Sequence, residues 1–252
     1  MAGDGGVYVV LNIAHRGDSS DCPENTVAAF RSAVALGVDM IELDVWWTRD
    51  RQLVVLHDPT VDRCTDGSGA VADLTLAEIK TLDAGTWKAP QFAGETVPTL
   101  AEACAAIPAP IAVNLHLKTE TDDPDFTRQT YETVAAGGLL GRLLVVHDHR
   151  PTLERWRDLS EGFDLCLLPS SPHWPEYLAV AQQHGFWVLQ PGRDMMGPEF
   201  CQAAHAQGLR ANVFYADTAA DMRQFVAWGI DGILTNYPAR LAQVLREPGG
   251  PA

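Results

Sequence analysis

Short apolar runs alternate with amphipathic stretches along almost the whole chain. The apolar runs have the length and composition of buried strands in a parallel sheet, and they span 7–14, 40–47, 111–118, 143–147, 164–168, 186–190, 210–215 and 230–235. Between them, apolar residues recur at helical spacing. This spacing predicts helices at 27–36, around 76–82, from 101, and at 125–137, 151–159, 175–184, 198–207 and 218–228. Asn25 or Thr26 is placed to cap the first of these helices.

The second apolar run, 40–47, alternates strictly between apolar residues and the side chains Glu42, Asp44 and Trp46. A short polar turn at 48–52 and another apolar run at 53–57 follow, which predicts an antiparallel hairpin centred near residue 50. That register sets His57 opposite Leu43 and beside Asp44. Taken alone, the pattern is equally compatible with two strand acids that face water.

Eight strands that alternate with helices in about 250 residues are typical of an α/β fold of the (β/α)8 TIM-barrel class. A doubly wound open sheet is the alternative, but the chain has no G-x-G-x-x-G turn to support it. We predict a single domain over 1–252. A Gly-, Asp- and Thr-rich insertion follows the second barrel strand at about 59–100, where a lid beside a site is expected, and the tail from about 246 is expected to be flexible.

The net charge narrows the class of ligand. Lys and Arg total 18 against 33 Asp and Glu, a formal charge of -15, which disfavours nucleic acid and anionic membranes and favours a small-molecule partner. The 5 cysteines include no C-x-x-C pair and are expected to be free thiols. We see no signal peptide and no run of roughly 18 apolar residues, so no integral membrane segment and a cytoplasmic location are expected. Nothing in the sequence indicates the oligomeric state.

Polar residues collect where the first three barrel strands end, which is the face where TIM-barrel active sites lie. His15 and Arg16 follow the first strand, and Asn114, His116 and Lys118 share one face of the third. Two acids and a histidine can hold a divalent cation, and two basic residues can hold a phosphate beside it. With histidines left for proton transfer, this set is suited to cleavage of a phosphodiester.

Several segments resemble the glycerophosphodiester phosphodiesterase family, within the superfamily that includes phosphatidylinositol-specific phospholipases C and sphingomyelinase D type enzymes. The matching segments are H-R-G at 15–17, P-E-N-T at 23–26, A-A-F at 28–30, I-E-L-D at 41–44, V-V-L-H-D at 54–58, R-C-T-D-G-S-G at 63–69, L-D-A-G-T-W at 82–87, P-T-L at 98–100 and G-I-D-G-I-L-T-N-Y-P at 229–238. Their order and spacing are kept from residue 12 to about 241.

The resemblance implies a role for each matching residue and a reaction that releases sn-glycerol 3-phosphate and an alcohol. His15 and His57 correspond to the catalytic pair, and Glu42 and Asp44 to ligands of one divalent cation such as Mg²⁺, Ca²⁺ or Mn²⁺. The other implied residues are Arg16 and Lys118 as phosphate binders and Glu24 as a support for the first loop. Asn114 is expected to support the cation ligands, and Trp46 to stack on the alcohol or glycerol moiety.

Three segments depart from the family pattern. Where the family has N-(I/L)-E-(I/L)-K, this chain has N-L-H-L-K at 114–118, so that an imidazole replaces a carboxylate ligand. Loss of one negative charge should favour Mn²⁺, Co²⁺ or Zn²⁺ over Mg²⁺ or Ca²⁺. The usual W-T-V-N is F-Y-A-D at 214–217, which should reshape the pocket floor, and the usual T-D-Y-P is T-N-Y-P at 235–238.

These departures leave alternatives open. His116 is either a cation ligand or a neutral histidine that leaves the site short of a donor. The substrate is either a glycerophosphodiester or another phosphodiester, as in a phospholipase D-like reaction on lysophospholipids, and a non-catalytic protein that binds a phosphorylated metabolite is the alternative outside enzymes. The sequence does not decide which histidine is the base, or whether water or the substrate's own hydroxyl attacks. His147 and His149 are expected at the surface or at the rim of the pocket.

Overall fold

The computed structural model describes residues 9–119 and 122–247. Within these ranges the strands are β1 Leu11–Ala14, β2 Met40–Trp47, β3 Leu53–Val55, β4 Ala112–Leu117, β5 Leu143–His147, β6 Asp164–Leu167, β7 Val188–Leu189, β8 Arg210–Val213 and β9 Gly232–Thr235. The helices are α1 Val27–Leu36, α2 Leu76–Ile79, α3 Leu100–Ala106, α4 Pro124–Ala136, α5 Arg150–Leu159, α6 Trp174–His184, α7 Pro198–Ala206, α8 Ala219–Ala227 and α9 Pro238–Leu245. The start of the predicted first strand (7–8) and most of the predicted flexible tail (248–252) lie outside the described residues.

The strands form a nearly closed barrel. Hydrogen bonds connect them in the order β6-β5-β4-β2-β1-β9-β8-β7, with every pair in this series parallel. The remaining strand, β3, pairs antiparallel with the outer part of β2. Helices follow the strands in turn, so the predicted (β/α)8 fold is confirmed and the doubly wound alternative is wrong. None of the helices in the described ranges combines the length and apolar character that crossing a bilayer requires.

The β2–β3 hairpin has the predicted register. Val45 faces Val55, and Trp47 faces Leu53, so the turn is centred on residue 50. Arg51 takes a positive φ of 56° within this turn. The backbone N–H of Leu56 then donates to the carbonyl of Asp44 at 3.1 Å. The chain therefore runs alongside β2 as far as Leu56, and His57 follows near Asp44.

The insertion packs onto this hairpin with a small apolar core of its own. Its members are Val54, Leu56, Val61, Cys64, Val71, Ile79, Ala84 and Val97, all at most 4% exposed. Two capping boxes, at Thr75 with Glu78 and at Thr99 with Glu102, fix the starts of α2 and α3. The segment that follows β3 is therefore a folded cover on one side of the barrel mouth.

Tyr177 of α6 joins the two strands at which the barrel is least continuous. Its buried hydroxyl donates to the carbonyl of Leu167 in β6 at 2.7 Å and accepts from the N–H of Gln190 at 3.0 Å. The backbone N–H of Gln190 is therefore paired with a side-chain hydroxyl and not with a backbone carbonyl of β6. The strand β7 spans Val188–Leu189, two residues of the predicted 186–190.

We expect Tyr177→Phe to lower the free energy of unfolding by about 1–3 kcal/mol, because it leaves a buried backbone N–H and C=O unpaired. Urea unfolding followed by circular dichroism measures this change. Tyr131→Phe is the matched control: the Tyr131 ring contacts Trp156 and Phe163, and the change is expected to cost less than about 0.5 kcal/mol. Equal losses in both variants would contradict the bridging role of Tyr177.

Candidate active site

The loop after β1 forms a tight turn that presents His15 and Arg16 to the barrel mouth. Arg16 and Gly17 both take positive φ values, 58° and 79°. A Cβ on Gly17 would lie 2.8 Å from atoms of Ala29, so only glycine allows α1 to pack this closely on the turn. Thr26, not Asn25, caps α1, since its hydroxyl accepts from the N–H of Ala29 at 3.2 Å.

His15 is buried, with 5% of its surface exposed. Its Nδ1 lies 2.8 Å from Oδ1 of Asn236, and its Nε2 lies 3.9 Å from Oε2 of Glu42. The ring of Tyr215 stacks on the imidazole at 5.6 Å between centroids, and Phe214 meets it edge-on at 5.4 Å. Burial, with the nearby charge of Arg16, lowers the pKa of His15 to about 4, so the imidazole is neutral at physiological pH.

Glu42, Asp44 and His116 converge inside the barrel. Each offers a ligand atom, and these atoms all lie within 4.8 Å of one another. Asp44 pairs with His116 across the β2–β4 ladder, which sets the two side chains next to each other. Both carboxylates are buried, at 3% and 0% exposure. The alternative of two strand acids that face water is therefore wrong.

Asp44 is the anion around which the cations of the site are arranged. Asn25 donates to its Oδ2 at 3.0 Å, and Arg16 Nε lies 3.6 Å from the same oxygen. His116 Nδ1 and Lys118 Nζ lie 3.2 and 3.4 Å from Oδ1. Burial alone would raise the pKa of Asp44, but the contact with His116 and the charges of Lys118 and Arg16 outweigh it and hold this pKa well below its ordinary value.

Glu42 has the opposite electrostatic environment. Its Oε2 accepts one hydrogen bond, from the backbone N–H of Arg16 at 3.0 Å. Burial, together with the negative charge of Asp44, raises the pKa of Glu42 well above its ordinary value. Two buried carboxylates side by side cannot both remain ionised at low cost unless a further positive charge lies between them.

These residues fit a divalent cation. Oδ1 of Asp44 is completely buried and receives no well-aligned hydrogen bond from any of the described residues, so it has a coordination position to offer. Two carboxylates and one imidazole form a mixed oxygen and nitrogen set, which suits Mn²⁺, Co²⁺ or Zn²⁺ better than Ca²⁺. The candidate cation site is therefore Glu42, Asp44 and His116, as the sequence predicted.

His57 faces the same site from the end of the hairpin. Its Nδ1 lies 2.6 Å from Oδ1 of Asp58, and its carbonyl accepts from the indole N–H of Trp46 at 3.1 Å. A third of its side chain is exposed. Burial lowers the pKa of His57, although the charge of Asp44 and the hydrogen bond to Asp58 oppose this shift.

Arg63, from the insertion, connects the two halves of the site. Its Nε donates to Asp58 at 2.6 Å, and its two Nη atoms donate to both oxygens of Glu24 at 2.8 and 2.7 Å. Glu24 also accepts from Arg16 at 2.7 Å. Ion pairs thus run from Asp58, beside His57, through Arg63 and Glu24 to Arg16 in the loop after β1.

Asn114, Trp46 and His147, which the sequence also singled out, make contacts other than the predicted ones. Asn114 is fully buried and donates to Oε1 of Gln190 across the barrel at 2.7 Å. Trp46 is half-buried, and its indole fixes the main chain at His57. His147 is buried at the end of β5, where its Nδ1 accepts from the backbone N–H of His149. Of the two histidines expected at the surface or the rim, only His149 is exposed.

Sequence reasoning gave no place in the site to five residues of this network. Asn25, Asp58, Arg63 and Asn236 each contact a predicted site residue, and Asp217 contacts Asn236. The first four lie in segments that carry the family resemblance, which was a usable signal, whereas Asp217 lies in a segment that departs from the family pattern. Their side-chain partners, however, are mostly distant in sequence, and spacing alone does not identify such partners.

Comparison with known proteins places this site in a family. The model of the glycerophosphoryl diester phosphodiesterase family matches residues 15–240. A glycerophosphodiester phosphodiesterase of Caldanaerobacter subterraneus is 35% identical over 95% of this chain and 99% of its own length. One from Bacillus subtilis is 30% identical over 91% of this chain and 84% of its own.

Solved structures agree with the sequence comparison. An Oleispira antarctica phosphodiesterase, solved in complex with the product sn-glycerol-3-phosphate, superposes with a TM-score of 0.86. It is 27% identical, and the match covers 93% of this chain and 96% of that one. On the extent of the family match and the identity of these relatives, the chain belongs to the glycerophosphoryl diester phosphodiesterase family.

Proposed function

We propose that this protein hydrolyses glycerophosphodiesters to sn-glycerol 3-phosphate and an alcohol, with a divalent cation and two histidines. The observation that carries the proposal is that His15 lies beside the cluster of Glu42, Asp44 and His116, with His57 close enough for the charge of Asp44 to affect its pKa. Family membership supports glycerophosphodiester phosphodiesterase activity. A relative with the product sn-glycerol-3-phosphate bound supports a small-molecule substrate.

Arg16 and Lys118 are the proposed phosphate binders. Both side chains are mostly buried, at 13% and 17% exposure, and both lie within 4 Å of Asp44. Arginine and lysine there can offset the charge of the non-bridging oxygens, and low exposure to water strengthens that interaction. A cation held by Glu42, Asp44 and His116 would polarise a phosphate oxygen and stabilise negative charge that develops there.

The hydrogen-bond partners of the two histidines favour different roles. Nδ1 of His15 faces the amide oxygen of Asn236. A proton on Nδ1 is favoured by this acceptor and leaves the lone pair of Nε2 free near the cation ligands. We assign His15 as the base that takes a proton from the attacking hydroxyl. His57 instead pairs with the carboxylate of Asp58, which stabilises an imidazolium, and we assign it as the acid that protonates the leaving alkoxide.

His116 should determine which metal supports activity. We expect glycerol 3-phosphate release from glycerophosphocholine to stop with chelator and to return better with Mn²⁺, Co²⁺ or Zn²⁺ than with Mg²⁺ or Ca²⁺. In His116→Glu the metal preference should move toward Mg²⁺ and Ca²⁺ by about tenfold or more. A tenfold change in affinity needs only about 1.4 kcal/mol, and a full negative charge added at bonding distance from the cation contributes more than that. Calorimetric titration of each metal into both proteins measures the same shift without catalysis.

Two outcomes would contradict parts of this proposal. An unchanged metal preference in His116→Glu would remove His116 from the ligand set. If the protein binds metal but turns over no substrate with any metal, the alternative of a non-catalytic protein that binds a phosphorylated metabolite remains. Parallel rates on lysophosphatidylcholine test the lysophospholipid alternative, which requires faster turnover of that substrate than of glycerophosphocholine.

A further inference from the structure

Asn236 occupies a position behind His15 in which its amide orientation is determined by its neighbours. The amide oxygen lies 2.8 Å from His15 Nδ1 and 3.0 Å from the hydroxyl of Ser19. The amide nitrogen donates to Oδ2 of Asp217 at 2.7 Å. A reversed amide would place its oxygen against the carboxylate of Asp217. The carboxylate therefore determines the orientation, in which the amide oxygen faces Nδ1 of His15.

Asp217 is itself held in place by the last residue of β9 and the residue that follows it. Its Oδ1 accepts from the backbone N–H of Asn236 at 2.9 Å and from the hydroxyl of Thr235 at 3.1 Å. Thr235 is completely buried. Asp217 therefore contacts Asn236 through both main chain and side chain, and it can fix the rotamer of that residue.

The two residues are exchanged relative to the family pattern described above. The family pattern has asparagine where this chain has Asp217, and aspartate where it has Asn236. Because the two side chains are in direct contact, these are not two unrelated departures. They form one reciprocal exchange that keeps an acid and an amide in contact. The negative charge then lies on Asp217, behind Asn236, and not on the residue that contacts His15.

We propose that Asn236 and Asp217 are positioning residues for His15. Asp217 orients the amide of Asn236, and the amide oxygen keeps the proton of His15 on Nδ1, so that the lone pair of Nε2 faces the candidate cation site. A neutral partner suits a base that must be unprotonated before it acts. The proposal deepens the proposed function and rests on it for the role of His15, but the tautomer of His15 can be tested separately.

The test measures catalysis and tautomer on the same variants of the full chain. Long-range ¹H–¹⁵N correlation spectra distinguish an imidazole protonated on Nδ1 from one protonated on Nε2. We expect His15 to be protonated on Nδ1 in the parent protein and to lose this preference in Asn236→Leu. The kcat of Asn236→Leu on glycerophosphocholine should fall by about 10²-fold with little change in KM, since misorientation of a reacting group acts on the chemical step.

The exchange itself gives a second set of variants. Asn236→Asp alone places two carboxylates in contact and should lower kcat. Asp217→Asn combined with Asn236→Asp recreates the family arrangement, in which an amide again orients the group that accepts from His15. We expect the double variant to be more active than Asn236→Asp and to keep the His15 proton on Nδ1. If the two substitutions acted independently, the double variant would be the less active of the two.

Asn12→Ala is the matched control. Asn12, in β1, is also a buried asparagine, and its side chain donates to the carbonyl of Pro238 and not to His15. It should lower stability without a change in kcat or in the His15 tautomer. The proposal is overturned if His15 is protonated on Nε2 in the parent protein, or if Asn236→Leu leaves both tautomer and kcat unchanged. If no substrate is turned over, the proposed function fails and the tautomer measurements alone decide this proposal.

Discussion

Replacement of His57 by asparagine is expected to lower kcat on glycerophosphocholine by about 10²–10⁴-fold, the range that a positioned general acid or base contributes. The neighbouring acidic group, Asp58, cannot substitute as a donor, because Arg63 holds it ionised: the hydrogen bond from Arg63 is the main cause that lowers the pKa of Asp58 to about 2. His15→Asn is expected to lose activity to a similar extent. The two losses should nevertheless depend differently on the leaving group.

A nitrophenolate leaving group needs little protonation, whereas choline leaves as a strongly basic alkoxide. On the nitrophenyl ester of glycerol 3-phosphate, His57→Asn should therefore recover most of the lost rate, while His15→Asn should stay slow on both substrates. Steady-state rates on the two substrates measure this difference. The control is His173→Asn, in an exposed loop, which should stay within about twofold of the parent rate. The reverse pattern would exchange the roles of the two histidines, and equal losses on both substrates would remove the acid role from His57.

The local part of this site was predictable from the sequence. Alternation in 40–47, the polar turn and the next apolar run determined the hairpin register, and the observed pairs Val45 with Val55 and Trp47 with Leu53 agree with it. The reason is that the side-chain period of a strand is two, so a slip by one residue would send buried acids to the wrong face. The parallel barrel strands then bring the ends of β1, β2 and β4 to one face.

The contacts behind the site residues were not predictable in the same way. His15 and Asn236 are 221 positions apart in sequence, and Arg63 reaches Glu24 from 39 positions away. Such pairs depend on loop conformations, which strand periodicity does not determine. Asn114 illustrates the limit within a strand: its face was predicted, but its hydrogen-bond partner, Gln190, lies across the barrel. The pattern gives the direction of a side chain and leaves its partner undetermined.

The two buried carboxylates of the candidate cation site should have opposite effects on stability. In the metal-free protein, Asp44→Asn should lower the free energy of unfolding by about 3 kcal/mol, because it removes the anion that pairs with buried cations. We expect the low end of the usual 3–5 kcal/mol range, since Glu42 can ionise once Asp44 is neutral and can replace part of the lost charge. Glu42→Gln should instead raise stability, because ionised Glu42 is opposed by burial and by Asp44.

The pH dependence gives the sign of the Glu42 effect. A carboxyl whose pKa is raised on folding favours the folded state at low pH, and this contribution is lost as the pH rises from the unfolded-state value toward the folded one. The stability gain of Glu42→Gln over the parent should therefore increase as the pH rises above 4.5, the ordinary value for this group. Urea unfolding of both variants and the parent in chelator, at several pH values, measures both effects. Saturating metal should reverse the order, because the parent alone keeps all three ligands and gains the most from binding. Loss of stability in metal-free Glu42→Gln would show that Glu42 is favourably paired without a cation, and the electrostatic case for a cation at this site would fail with it.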